Sequence, residues 1–221
     1  MSKPKYTYHT ETLPSLFRKI DAGEIHIPLF QRDFVWGKQQ ILQLLDSIYN
    51  GLPIGNLLFW RSHEKQIMFS KEDFNNQLHT NKQSSYLYIV DGTQRLRALY
   101  NCLHKKEDKN ESLFNIGFNI EKEVFSYLDG DDISKETIAI SSIFSHEDII
   151  QHQINLASFE NGQTLTKNLN KLISAFVEYQ VLIVIIDEVT EDDLITAFET
   201  INTTGVSLSE EEIKRASKKT A

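Results

Sequence analysis

Asp91-Gly92-Thr93-Gln94-Arg95 is the run in this chain whose residue types and spacing most directly suggest chemistry. Residues 86–90 are apolar and read as a buried strand. The periodicity changes at Asp91-Gly92-Thr93, after which Leu96, Leu99, Tyr100 and Leu103 recur at i, i+3, i+4 and i+7, one face of a helix. A strand that stops at glycine and turns straight into a helix points free backbone N–H groups and the positive end of a helix dipole at whatever lies in front, which suits an anion such as phosphate. Asp91 or Thr93 can cap the helix, Gly92 lets backbone approach a ligand, and Arg95 in the first turn can pair with a phosphate through two parallel bonds. The same letters also spell an ordinary capped turn carrying a surface arginine, since Asp-Gly is a common turn pair.

Gln31-Arg32 forms a second candidate. An arginine among Phe30, Phe34 and Trp36 either lays its stem over an aromatic core or is held rigidly to bind an anion. The third is Glu199 with Asn202, at i and i+3 on one helical face and followed by Thr203-Thr204-Gly205. Simple helix capping accounts for that pair as readily as a binding role does.

The elements that must position these residues follow from the hydrophobic pattern. A short helix after Thr12 carries Leu13, Leu16, Phe17 and Ile20 and stops at Gly23, and residues 24–27 form a short strand. From Lys38 a helix places Ile41, Leu44, Leu45, Ile48 and Tyr49 on one face and ends at Gly51. Residues 54–60 read as a strand, with 67–69 as a short partner for it, and the polar stretch 71–85 as an inserted loop. Residues 105–110 are a charged connection. Residues 116–120 and 124–128 are two strands, followed by the turn Asp129-Gly-Asp-Asp, which lacks the ligand spacing of a calcium loop. Residues 133–165 read as mostly helix and loop, with a capping pattern at Ser145 and Asp148. A helix bearing Leu169, Leu172, Ile173 and Phe176 leads into residues 181–186, which read as a central strand covered on both faces. Thr190 with Asp193, and Ser209 with Glu212, start two further helices, the last broken off at Ala221. The mixture predicts an α+β fold in one domain, 1–221.

Composition narrows the function. Across 221 residues, 40% apolar and 24% charged residues with 4 prolines describe an ordinary folding chain. A net charge of −8 gives no bulk basic footprint for nucleic acid, so any such contact must come from a local groove or a partner. The single cysteine, Cys102, excludes an intramolecular disulfide, fits a cytoplasmic protein and lies beside a helix's apolar face, where it reads as a small packed filler. No apolar run is long enough to span a membrane. The 7 histidines form no i, i+4 pair and no HExxH pattern, and neither a GxxxxGK[ST] loop nor a GxSxG elbow is present. A tight transition-metal site, a standard P-loop enzyme and an α/β-hydrolase are therefore all unsupported.

Three spaced motifs together resemble the GmrSD-type N-terminal domain family. They are Ile27-Pro-Leu-Phe-Gln-Arg-Asp-Phe-Val-Trp36, continuing to Leu45-Asp-Ser-Ile-Tyr-Asn-Gly-Leu-Pro-Ile-Gly55; Ile89-Val-Asp-Gly-Thr-Gln-Arg-Leu96; and Phe198-Glu-Thr-Ile-Asn-Thr-Thr-Gly-Val-Ser-Leu208. The resemblance implies a ParB/sulfiredoxin-like mixed sheet with surrounding helices. Its DGQQR-like motif would bind and hydrolyse a nucleoside triphosphate with Mg²⁺, in type IV restriction and SspE-like phage-defence proteins that act on modified DNA. Carried onto this chain, it makes Asp91, Gln94 and Arg95 catalytic candidates, with Asp91 also the metal candidate. Gly92, Thr93, Gln31, Arg32, Glu199 and Asn202 become nucleotide-site candidates, with Gln31 and Arg32 equally placed for the DNA backbone. Thr93 stands where the family has glutamine. The C-terminal HNH nuclease of longer members has no counterpart here, so the chain is expected to be the N-terminal portion of a longer protein, or to work with a separate nuclease subunit. A DNA-sensing module without catalysis is the alternative that the same motifs allow.

Overall fold

The computed structural model describes residues 5–28, 31–63, 74, 85–104, 112–128 and 134–187. Among the described residues, two sheets and five helices build an α+β fold, as the pattern predicts. The larger sheet contains β1 (Lys5–Thr12), β2 (Ile25–His26), β3 (Leu57–Ser62), β4 (Tyr86–Asp91) and β8 (Gln180–Asp187), in the order β1-β8-β3-β4-β2. Its pairings alternate: β1 with β8 and β3 with β4 are antiparallel, whereas β8 with β3 and β2 with β4 are parallel. The smaller sheet is antiparallel, with β5 (Ile116–Asn119) between β6 (Val124–Tyr127) and β7 (Thr137–Ala139).

One face of the large sheet, carrying Phe59, Ile89, Val181, Ile183 and Ile185, joins the apolar faces of α1 (Leu13–Asp21), α2 (Lys38–Tyr49), α3 (Thr93–Leu103) and α5 (Gly162–Val177). Ile116, Phe118 and Ile138 of the small sheet close the same core. The helix positions read from periodicity are the buried ones: Leu13, Leu16, Phe17 and Ile20 in α1, and Ile41, Leu44, Leu45, Ile48 and Tyr49 in α2. Gly23 and Gly51 end these helices with φ of 69° and 67°, values that favour glycine. In α4 (His146–Ala157) the N-cap works as expected, Ser145 Oγ accepting from Asp148 N at 3.2 Å.

Four expectations need correction. The strand of residues 181–186 is not covered on both faces along its whole length: Leu182 is 46% exposed and Val184 half-buried, while Ile186 on the same side is buried. β1 carries no apolar run to mark it as a strand, since its residues Tyr6 and Tyr8 are exposed. Residues 133–165 contain a strand, β7, in addition to helix, formed by hydrogen bonding to β5 rather than by its own pattern. Thr12 precedes α1 without a side-chain capping bond, and Pro14 in the first turn supplies the start instead. Cys102 is fully packed at 1% exposure, and burial pushes its thiol pKa far up. The segments expected at 67–69, 105–110, 129–132, after Thr190 and after Ser209 lie outside the described residues.

Candidate functional site

β4 delivers the motif. Tyr88, Ile89 and Val90 are all buried, Asp91 is partly exposed, and Gly92 then turns the chain with φ 92° and ψ 9°. A Cβ on Gly92 would stand 2.4 Å from Leu57 Cδ2 and 3.2 Å from Arg95 Nη2, so both conformation and space demand glycine. α3 begins at Thr93, with Leu96, Leu99, Tyr100 and Leu103 buried as expected. Gly92 itself is the N-cap and no side chain among the described residues caps the helix, so neither Asp91 nor Thr93 plays that part. The positive end of α3 therefore keeps its first-turn N–H groups clear of side-chain caps, beside a carboxylate that is 39% exposed.

The long polar side chains of the motifs are engaged with the protein's own backbone. Gln31 Nε2 donates to Ile89 O at 3.2 Å and to Val90 O at 2.7 Å, the last carbonyls before Asp91. Gln94, 9% exposed, accepts from Val35 N at 2.9 Å and donates to Asp33 O at 3.0 Å. Together these two amides fasten residues 31–35 onto the β4–α3 junction. Phe34 adds an edge contact to Phe114 at 5.2 Å, and the Arg97 guanidinium lies 5.7 Å from the Phe34 ring. Arg32, in the middle of the fastened segment, is half-buried and makes no ion pair with another described residue.

Arg95 holds the opposite side. Nη1 donates to Ile54 O at 2.6 Å and Nη2 to Asp91 Oδ2 at 3.1 Å. The loop it holds is fixed a second time by Tyr179, whose hydroxyl accepts from Ile54 N at 3.2 Å and donates to Leu52 O at 2.6 Å. The two parallel bonds expected to face a phosphate are thus made to protein atoms. Tyr179 was not visible as a site residue in the sequence, because its only signal is position before a strand. Gly55 did stand in a motif, and its φ of 85° beside the Arg95 guanidinium explains why.

Thr93 differs from its neighbours. It is 3% exposed and its Oγ1 has no hydrogen-bond partner among the described residues. No group of three or more His, Cys, Asp or Glu side chains capable of holding a metal occurs among the described residues, so Asp91 would be a single protein ligand to an ion brought in by another molecule. An uncapped helix end beside a partly exposed carboxylate suits phosphate oxygens with a hard cation beside them, whereas the Thr93 hydroxyl is buried beneath it. Glu199 and Asn202 lie outside the described residues.

Residues 13–217 match the family described as the GmrSD restriction endonuclease, N-terminal domain. The chain belongs to that family, whose context is restriction. It is also similar to the uncharacterized protein MJ0686 of Methanocaldococcus jannaschii, at 29% identity over 104 residues, 44% of this chain and 18% of that protein. The matched part is thus a small share of a longer relative. No helix among the described residues is long and apolar enough to cross a membrane.

Proposed function

We propose that this domain binds a nucleoside triphosphate with Mg²⁺ at the N-terminus of α3 and acts as a nucleotide-hydrolysing regulatory domain in a restriction system that responds to modified DNA. The observation that carries the reading is the uncapped α3 N-terminus behind Gly92, flanked by Asp91, in a chain of a restriction-endonuclease family. Backbone N–H groups of the first turn receive phosphate oxygens. Mg²⁺, when bound, offsets phosphate charge, with Asp91 as its protein ligand. Asp91 also orients the attacking water, and Arg95 holds that carboxylate in place. Gln31 and Gln94 hold the Arg32 segment at the rim, and Arg32 contacts the nucleotide or a DNA phosphate. Modified DNA and a nuclease domain or subunit are the partners.

A second reading, a DNA-sensing module without catalysis, is favoured by one observation: the polar ends of Gln31, Gln94 and Arg95 are all bound to protein atoms, which commits them to holding the fold rather than a transition state. Phosphate release by the purified protein, with and without modified DNA, separates the two. Turnover abolished in Asp91→Ala supports the first; DNA affinity with no turnover under any condition supports the second.

A further inference from the structure

We infer that β1 is a self-pairing edge: two copies of this chain join antiparallel along it, about a two-fold axis at Tyr8, and make one continuous sheet. The inference is independent of the nucleotide reading, since it uses no residue of the β4–α3 corner.

The two edges of the large sheet are built differently. At one edge β2 offers only Ile25 and His26, both buried. At the other, β1 offers eight residues, paired to β8 along their whole length without a register shift and to no other strand among the described residues. An open row of backbone N–H and C=O groups is a template for a further strand, and proteins that must stay single blunt it with proline, a bulge or a very short strand. Residues 5–12 contain no proline and no bulge. Tyr6 and Tyr8 are 49% and 65% exposed, their rings stacked 6.4 Å apart. On the same face, across the ladder from Thr10, Leu182 is exposed as well.

The strand's own residues select a second copy as the partner. Antiparallel pairing about Tyr8 sets Lys5 opposite Glu11, Tyr6 opposite Thr10, Thr7 opposite His9, and Tyr8 opposite itself. Opposite charges meet at both ends, and the aromatic pairs with β-branched threonine are of the kind that stabilises antiparallel ladders. Burial alone would raise the Glu11 pKa, but its bonds to Lys19 and His9 hold it below the ordinary value, so the acidic end of the strand stays charged. An axis at Thr7 would draw in Pro4, which has no N–H to give, and one at His9 would set Lys5 against Leu13, already in α1. A two-fold pair uses one self-complementary patch twice, the commonest arrangement of homodimers.

Sedimentation equilibrium of the full chain over a concentration series, for wild type and Tyr8→Lys, tests the pairing. The expected result is a wild-type monomer–dimer equilibrium that Tyr8→Lys weakens by about tenfold or more, because two ammonium groups then face each other on the axis. Its thermal midpoint at concentrations where the wild type is monomeric should not change, since the Tyr8 side chain is exposed. Tyr8→Cys and Thr10→Cys fix the register. Two cysteines at position 8 are directly opposed, within disulfide reach, whereas two at position 10 stand roughly 14 Å apart. Cys102, buried at 1% exposure, does not compete. Mild oxidation should give a covalent dimer from Tyr8→Cys and none from Thr10→Cys. A wild type that stays monomeric at every concentration overturns the inference, even if β1 proves to accept a strand from another protein. A dimer unaffected by Tyr8→Lys overturns it, as does cross-linking through Thr10→Cys in place of Tyr8→Cys.

Discussion

The Arg95 guanidinium occupies the space that a side chain on Gly55 would need: a Cβ there would stand 2.5 Å from Nη1, the atom that donates to Ile54 O. Gly55 has φ 85°, so alanine is strained as well as crowded. Gly51, with φ 67° and open space around it, shares the strain alone. Gly51→Ala is expected to cost about 1 kcal/mol from backbone strain. Gly55→Ala is expected to cost about 1.5–3 kcal/mol more, because Arg95 must leave its charge-assisted bonds. Denaturant midpoints of both variants check the difference.

Gln94 predicts a local effect that stability alone would miss. Its oxygen is the acceptor for Val35 N, and its nitrogen the donor to Asp33 O. Gln94→Glu keeps the acceptor but sets a carboxylate against the Asp33 carbonyl, while Gln94→Leu loses both bonds. Both variants should destabilise the protein, by roughly 1–3 kcal/mol. The Val35 amide should exchange hydrogen faster in Gln94→Leu than in Gln94→Glu, as amide-resolved exchange would record.

These two predictions show what was legible in the letters. The β4–Gly92–α3 corner could be read because periodicity changes from strand to helix within three residues and glycine marks the change. That Gln31, Gln94 and Arg95 belong together was equally readable, from their motifs. What they bind was not: a glutamine that latches a loop and one that grips a ligand have the same letter, and the partners here are backbone atoms up to 61 positions away in sequence. Burial on one face of β8 was misread for a related reason. Val181 to Ile186 are all apolar, yet the outward positions, such as Leu182 at 46% exposure, carry no polar residue to announce them.

His152 gives the fold a pH dependence. Ser142 Oγ donates to Ala139 O at 2.6 Å, so the 2.7 Å contact between Ser142 Oγ and His152 Nε2 is donated by the imidazole. Burial lowers the His152 pKa below 6.5, and the nearby Asp148 charge offsets this only in part. The unfolded chain therefore takes up a proton at higher pH than the folded one. Stability from this site is complete above pH 6.5 and falls as the pH drops from there toward the lowered folded value. Gln can donate the same bond without titrating, so Thermal midpoints of His152→Gln between pH 7.5 and 5.5 should fall less steeply than those of the wild type.

Asp91 tests the site from the side of charge. Its pairing with Arg95 spans i to i+4, the carboxylate is 39% exposed, and Arg95 keeps its bond to Ile54 O whether or not the carboxylate is charged. A partly exposed i to i+4 pair of this kind contributes about 1 kcal/mol, so Asp91→Asn should leave the stability within about that range of the wild type. A carboxylate that serves Mg²⁺ or an attacking water has a much larger share in binding and turnover, since an amide neither neutralises a cation nor accepts a proton. Affinity for Mg-ATP should then fall by about tenfold or more in Asp91→Asn, while affinity for inorganic phosphate without Mg²⁺ holds or rises as a negative charge leaves the site. Equal losses with and without Mg²⁺ would instead mark Asp91 as a brace for Arg95.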